Sequence, residues 1–448
     1  MRNALSHLLQ GVVVLTALAL AAAAQDLTPK FEEYLNGLAK QNTFSGSVLV
    51  ARDGKILYSR GVGKANEELD VPNTAQTKFR LGSVTKQFTS ASIMLLEERG
   101  KLRVTDPICN YLSGCPDAWK ELTIHHLLTH TSGIPNYTAL PDYGPGMHAP
   151  ITNDSLIARF KDRPLDFKPM EKWNYSNSGY FLLGVIIEKV SGETYETFLR
   201  KNIFEPLGMK DSGYDHFETL LKNRATGYSL QKGVRGNSTY LDMSQPGAAG
   251  ALYSTVEDLF RWNEALYNGK LVSMKSLEKM TTPVLNNYGY ALGTATTFKR
   301  KNWSHGGGIN GFNTILVRYP AENATIVVLR NQDYGAPAPG RIASDLAAIL
   351  FGEKNVAPAI VKVDPKIYAD YVGEYELAPN LTLAISRQGD RLLARAPGQP
   401  EIELFPTSET KFILKVVDAQ VTFVKDASGK VTHLILNQGG EMTAKKIK

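Results

Sequence analysis

Phe79-Arg80-Leu81-Gly82-Ser83-Val84-Thr85-Lys86 opens an apolar helical pattern that runs on through Phe88, Ala91 and Leu95. A helix beginning near Ser83 carries Lys86 one turn on, on the same face. A serine hydroxyl is a poor nucleophile until a base takes its proton. A lysine one turn away can supply that base or hold another in its reactive state. The helix N-terminus adds unpaired N–H groups and the positive end of a dipole, which suit the oxyanion of an acyl-transfer intermediate. The competing reading is that Ser83 only caps the helix. S-x-x-K arises by chance in any long chain, so two further stretches carry the decision.

The first runs from Phe167 to Tyr180, FKPMEKWNYSNSGY. Tyr175 and Asn177 are two apart and share a side of extended backbone. A tyrosine titrates at about 10 in isolation. An adjacent ammonium stabilises its anion and brings it toward the range of a working base. Asn177 both donates and accepts, which suits a substrate amide. Without that chemistry the stretch is a loop around buried aromatic residues, and Trp173 and Tyr180 fit either reading. The second stretch is His305-Gly306-Gly307-Gly308-Ile309-Asn310-Gly311-Phe312. Gly306, Gly308 and Gly311 satisfy G-x-G-x-x-G, but a strand-like run follows where a dinucleotide site requires a helix. Glycines at a strand edge instead let a substrate approach the backbone. Protonated, His305 suits a carboxylate; neutral, it can join a proton relay.

In order and rough spacing, Ser83-Val84-Thr85-Lys86, Tyr175-Ser176-Asn177 and His305-Gly306-Gly307 resemble the serine β-lactamase and penicillin-binding-protein-like family. That family includes class C β-lactamases, D-alanyl-D-alanine carboxypeptidases, D-aminopeptidases and related esterases. His126-Leu127-Leu128-Thr129-His130-Thr131-Ser132-Gly133-Ile134 and Ile203-Phe204-Glu205-Pro206-Leu207-Gly208-Met209 also look like stretches common in it. The likeness spans Phe31 to Phe351. It implies Ser83 as the acylated nucleophile, Lys86 and Tyr175 as its base system, and Asn177 against the substrate amide. It also implies His305 and Gly308 as substrate-binding residues, with the N–H groups of Ser83 and Gly308 as the oxyanion hole. No cofactor is implied. The third motif departs from the K-T-G of class C β-lactamases. His305-Gly306-Gly307 looks more like D-aminopeptidases and some esterases, which argues against efficient antibiotic hydrolysis. Met170 stands where many members carry glycine.

The surrounding elements place these motifs. Leu27 to Gln41 reads as a helix, with Phe31, Leu35 and Leu38 at helical spacing. Ser47 to Arg60 reads as a hairpin about Asp53-Gly54. Strands return at Thr297 to Trp303, Phe312 to Tyr319 and Ala324 to Arg330, and Arg341 to Phe351 reads as a helix. Strands at both ends with helices between predict an α/β domain: one antiparallel sheet built from both termini, with a helical subdomain. The resemblance makes this β-lactamase/transpeptidase-like. After a linker over residues 354–366, six short strand-like runs predict a small antiparallel barrel or sandwich. Tyr371-Val372-Gly373-Glu374-Tyr375 resembles the lipocalin-like barrel appended to some members. The division is then 1–24 as leader, 25–353 as hydrolase domain, 354–366 as linker and 367–448 as barrel.

Residues 1–24 read as a signal peptide: Arg2, an apolar run, and Ala22-Ala23-Ala24 before Gln25. A membrane anchor is the competing reading; with the leader removed no stable span is expected, so the mature chain is expected to be periplasmic or secreted. Cys109 and Cys115 are the two cysteines of the chain and either close a small loop in an oxidising compartment or stay as thiols. His126 and His130 stand at i, i+4, but Leu127 and Leu128 replace the middle of a zinc motif, so structural histidines are expected and no metal. A chain of 448 residues can build a large core without staples. Its net charge of +6 is spread along the chain, so no nucleic-acid partner is expected. Together these features predict a serine hydrolase forming an acyl-enzyme on Ser83. Its partner is a small-molecule or peptide substrate, of D-residue-containing and cell-wall-derived type, or an ester. The rivals are a class C-like β-lactamase and a penicillin-binding or wall-binding sensor with little turnover. Composition does not fix the oligomeric state.

Overall fold

The computed structural model describes residues 26–231, 233–353, 361–378, 381–397, 401–414, 419–426, 428–437 and 441–448. The leader expected over 1–24 lies outside them, as do 354–360 of the linker. Helix α1 (Thr28–Lys40) precedes the hairpin of β1 (Gly46–Arg52) and β2 (Lys55–Val62). Helices α2 (Thr85–Glu98), α3 (Ile124–Leu128) and α4 (Asn177–Ser191) belong to the helical middle. Strands β3 (Gly293–Thr297), β4 (Arg300–Ile309), β5 (Phe312–Tyr319) and β6 (Ala324–Arg330) follow, then α5 (Pro339–Phe351). The six strands form one sheet in the order β3-β4-β5-β6-β1-β2. The last strand of the domain, β6, pairs with the first, β1, antiparallel from Gly46↔Arg330 to Arg52↔Ala324. The two ends of the domain thus meet in the middle of its sheet.

Both faces of this sheet are covered, which is why β6 reads Ala-Thr-Ile-Val-Val-Leu-Arg with every residue buried. Period-two alternation sends Val48, Val50, Ile326 and Val328 to one side, where Phe31 and Leu35 of α1 and Ile342 and Leu346 of α5 pack on them. Leu49, Val327 and Leu329 face the other side and join Phe88 of α2, Trp262 and the helical middle. Phe88 and Trp262 stack with centroids 3.9 Å apart. Helix α2 is therefore buried nearly all round, from Thr85 to Leu96.

One sequence expectation shifts. Thr297 to Trp303 is two strands rather than one, because Phe298 and Lys299 both take left-handed φ, at 52° and 61°, and turn the chain between β3 and β4. A tight hairpin needs positive φ at both central residues and usually signals it with Asn-Gly. Here neither residue gives that signal.

The C-terminal strands β7 (Gly373–Ala378), β8 (Leu381–Gln388), β9 (Arg391–Arg395), β10 (Ile402–Pro406), β11 (Lys411–Leu414), β12 (Ala419–Lys425), β13 (Val431–Asn437) and β14 (Glu441–Lys446) pair in sequence. Tyr375↔Lys446 pairs β7 with β14 and closes the ring into an eight-stranded barrel rather than a sandwich. Tyr371, Tyr375, Phe412 and Phe423 lie in its core with Leu383, Ile385 and Leu434. Among the described residues no helix is long and apolar enough to cross a membrane.

Candidate active site

Ser83 sits in a tight 3-10 turn, Gly82–Val84, that leads directly into α2. It makes no side-chain cap bond to the helix it precedes, so capping does not account for it. Lys86, one turn on, has no exposed surface, and its Nζ lies 3.0 Å from Ser83 Oγ. The Tyr175 hydroxyl donates to the same Oγ at 2.7 Å. Tyr175 belongs to irregular chain before α4, and Asn177 is the first residue of that helix. The alcohol, amine and phenol thus meet from segments 92 positions apart.

Lys86 Nζ has two further partners, Asn177 Oδ1 at 2.8 Å and the Ala249 carbonyl oxygen at 2.7 Å. Asn177 is in turn fixed at both ends. Its Nδ2 donates to Thr138 Oγ1 at 3.0 Å, and its backbone N–H donates to Asn136 Oδ1 at 3.0 Å. Asn177 is thus fixed beside the lysine, at the place where the sequence reading expects it to meet a substrate amide. Thr138 lies in a stretch rich in Pro and Gly, Tyr137 to Pro150, which thereby touches the site.

Burial dominates the electrostatics. Lys86 is pushed well below the ordinary lysine value because its ammonium has lost its water. Tyr175 moves the other way: burial disfavours the phenolate more than the Ser83 hydrogen bond favours it. The sequence expectation that an adjacent ammonium lowers the tyrosine is thus reversed. The lysine tends to the neutral amine and the tyrosine to the neutral phenol. A neutral amine has two N–H bonds and one lone pair. In the neutral form, donation to Asn177 Oδ1 and Ala249 O uses both N–H bonds and leaves the lone pair to face the Ser83 hydroxyl; in the ammonium form the third N–H donates to Ser83 Oγ.

His305 lies within β4, opposite Leu316, and is buried. Its Nδ1 is 2.6 Å from Gly306 O, and its Nε2 is 2.9 Å from the Tyr288 hydroxyl. A carbonyl oxygen accepts only, so Nδ1 carries the proton and Nε2 accepts from Tyr288. Burial and then Lys86 push its pKa to about 3. The cationic form that suits a carboxylate is therefore disfavoured. The glycines beside it serve the chain itself. A Cβ on Gly307 would collide with the Leu81 carbonyl and come within 2.5 Å of Thr314 Oγ1. Gly82 takes φ +54°, and a Cβ there would stand 3.0 Å from Gly308 O. These positions let the Ser83 turn press against β4. A Cβ on Gly308 meets nothing within 4 Å, so that residue faces open space.

His125, His126 and His130 are each held by contacts within the fold. His126 Nδ1 accepts from the Thr123 N–H in a capping box at α3. His125 Nδ1 is 2.7 Å from the Tyr290 hydroxyl. His130 packs into an aromatic box of Trp173, Tyr175, Tyr180 and Tyr288. Tyr288, Asn136 and the Ala249 carbonyl went unread in the sequence. Only Asn136, three residues past the HTSG run, stood near a signal. Met170 takes φ +63°, which supplies a physical reason for glycine at that place. Cys109 and Cys115 are bonded, with Cα atoms 5.4 Å apart.

Comparison with known proteins follows the same lines. The family described as Beta-lactamase matches residues 28–349, and a domain of unknown function (DUF3471) matches 357–447. Penicillin-binding protein 4* of Bacillus subtilis (strain 168) is 32% identical over 441 residues, 92% of this chain and 97% of that protein. The octameric penicillin-binding protein homologue from Pyrococcus abyssi superimposes with a TM-score of 0.68 at 29% identity, over 93% of this chain and 100% of that one. D-amino acid amidase from Ochrobactrum anthropi SV3 gives 0.64 at 25% identity, over 73% of this chain and 99% of that one. The chain therefore belongs to the β-lactamase family, among the homologues of penicillin-binding proteins.

Proposed function

We propose that the chain is a serine hydrolase that forms an acyl-enzyme on Ser83. Its substrates would be amides or peptides of D-amino acids, or esters, without a carboxylate beside the scissile bond. The observation that carries this is the pair of contacts on Ser83 Oγ, 3.0 Å from Lys86 Nζ and 2.7 Å from the Tyr175 hydroxyl. The Lys86 amine takes the Ser83 proton as Oγ attacks the carbonyl carbon. The N–H groups of Ser83 and Gly308 would hold the oxygen as it turns negative. The proton then returns through the Lys86–Tyr175 pair to the leaving amine or alcohol. Water enters by the reverse path and frees the acid and Ser83.

Substrate choice follows from His305. Held neutral with both ring nitrogens engaged, it offers no cation to a substrate carboxylate. The likeness to a D-amino acid amidase supports the D-amide class. The likeness to a penicillin-binding protein supports a second reading, a penicillin-acylated protein of low turnover. A leader over residues 1–24 would place either activity outside the cytoplasm.

Ser83→Ala is expected to abolish p-nitrophenyl ester hydrolysis and leave the fold intact; unchanged activity would remove Ser83 from the mechanism. In a panel of D-alanine amide, D-Ala-D-Ala, short esters and nitrocefin, the amide or ester should exceed D-Ala-D-Ala in kcat/KM by about tenfold or more. The reverse preference would overturn the carboxylate argument. A fluorescent penicillin separates the second reading: label gained and then lost means turnover, whereas permanent label means a sensor.

A further inference from the structure

Tyr175 must hold its phenol on Ser83 from chain that has no regular structure, since residues 172–176 belong to neither helix nor strand. Its backbone neighbours are tied to a single residue. The Asn174 N–H donates to the His130 carbonyl oxygen at 3.0 Å, and the Ser176 N–H donates to His130 Nδ1 at 3.2 Å. Between those two bonds the His130 ring lies against the Tyr175 ring with centroids 4.4 Å apart. This is its closest aromatic contact, against 5.0 Å to Tyr288, 5.1 Å to Tyr180 and 5.8 Å to Trp173. We propose that His130 is a positioning residue for Tyr175, its carbonyl and imidazole bracketing the tyrosine on both sides and pressing the phenol onto Ser83.

The chemistry of the ring favours this over simple packing. Accepting at Nδ1 puts the ring proton on Nε2, and Nε2 is buried with no hydrogen-bond partner among the described residues. His130 also takes a left-handed φ of 58°, which costs any side chain some stability. A phenylalanine would fill the same aromatic box without leaving a buried N–H unpaired. What phenylalanine lacks is the acceptor for the Ser176 N–H. Burial, with Lys86 and His305 nearby, keeps the imidazole neutral and that lone pair free.

The proposal rests on Ser83 as nucleophile, and its test separates the two. His130→Phe keeps the ring and removes the acceptor. His130→Asn removes the ring, offers Oδ1 near the place of Nδ1, and tolerates positive φ. Activity is counted per Ser83 titrated with a fluorophosphonate, so unfolded chains drop out. His130→Phe is expected to lower kcat about 30-fold with KM changed less than about threefold. His130→Asn should return kcat to within about fivefold of the parent. Crystal structures of both variants should show the 2.7 Å Tyr175–Ser83 contact kept with Asn and lengthened with Phe. Parental kcat and an unmoved tyrosine in His130→Phe would overturn the proposal. So would a folded His130→Asn that loses the contact. Failure of Ser83 itself shows separately, as a parent chain the fluorophosphonate does not label, and the two crystal structures then still decide where the tyrosine sits.

Discussion

Around Ser83, the rings of His130, Tyr175, Tyr180, Tyr288 and His305 crowd within 4.4 to 6.5 Å of one another. In the barrel, Tyr371, Tyr375, Phe412 and Phe423 crowd as closely, with Tyr371 and Phe423 stacked at 4.2 Å. The polar ends of the two clusters differ. In the barrel the Tyr371 and Tyr375 hydroxyls end on backbone carbonyls, Glu409 O and Tyr371 O, both at 2.8 Å. Around Ser83 the Tyr180 hydroxyl likewise ends on a carbonyl, Leu128 O at 2.8 Å, but two others end on groups that react or titrate: Tyr175 on Ser83 Oγ and Tyr288 on His305. A carbonyl oxygen satisfies a buried hydroxyl and stops there. A serine or an imidazole passes the proton on. The same aromatic packing thus makes a core in one place and, on the proposed mechanism, a proton path in the other.

Lys86 gives the largest expected effect. Lys86→Met keeps the length and apolar body of the side chain and removes the base. It should lower kcat/KM by about 10⁴-fold with far-UV circular dichroism unchanged. Activity within tenfold of the parent would show that the cluster around Ser83 is merely another core. In the barrel the converse holds. Phe423→Ala opens a hole among Tyr371, Tyr375 and Phe412 and should cost about 3–5 kcal/mol in denaturant unfolding of the barrel. Below that transition, kcat on a p-nitrophenyl ester should stay within about twofold, since Phe423 packs in the barrel's own core and sites that share no partner act independently. A large loss of kcat in the folded variant would tie the barrel to the chemistry.

Acid separates the clusters more gently. His305 is neutral when folded, with its pKa at about 3, while an unfolded histidine takes up a proton below about 6.5. Between those values the unfolded chain binds more protons, so stability falls as pH falls. His305 should contribute about 2 kcal/mol to the stability that the hydrolase domain loses between pH 7 and pH 4.5 by calorimetry, beside His130, which burial also keeps neutral, and His305→Asn should reduce that slope without abolishing it. The barrel cluster of tyrosines and phenylalanines titrates nowhere in that range. A slope unchanged by His305→Asn would mean that other groups carry the acid response.

The sequence made visible whatever repeats with a period or a motif. Val48 and Val50 with the Asp53-Gly54 turn marked β1, an apolar run marked β6, and helical spacing marked α1 and α2. The short runs after residue 380 marked the barrel. The Ser83, Lys86, Tyr175 and Asn177 stretches stood out because their residue types are chemically unusual together. What stayed hidden depends on chain segments meeting in space. The Ala249 carbonyl that receives Lys86 is backbone and has no residue type to read. The meaning of Gly307 needs Leu81 and Thr314 beside it. The direction of the Tyr175 shift needed the depth of burial. From sequence, an adjacent ammonium looked like the stronger influence, but desolvation acts on both partners and outweighs it.

Backbone conformation separates the two regions once more, with the smallest effect. In the described part of the barrel, each residue with positive φ is a glycine: Gly373, Gly389 and Gly429. Beside the site, His130 and Met170 take such angles with side chains attached, at 58° and 63°. Met170 begins the loop that carries Tyr175, and its N–H donates to the Thr131 carbonyl at 2.9 Å, one residue past His130. The side chain is 41% exposed, and its contact to the protein includes a weak bond from Thr131 Oγ1 to Sδ. Glycine relieves the left-handed strain of about 1 kcal/mol. It also adds about 0.5 kcal/mol of unfolded-chain entropy to be lost on folding. Met170→Gly should therefore stabilise the hydrolase domain by about 0.5 kcal/mol, with kcat unchanged. Met170→Ala keeps the strain, loses the thioether, and should destabilise. A stabilising alanine would show that the side chain, rather than the angle, is what burdens this position.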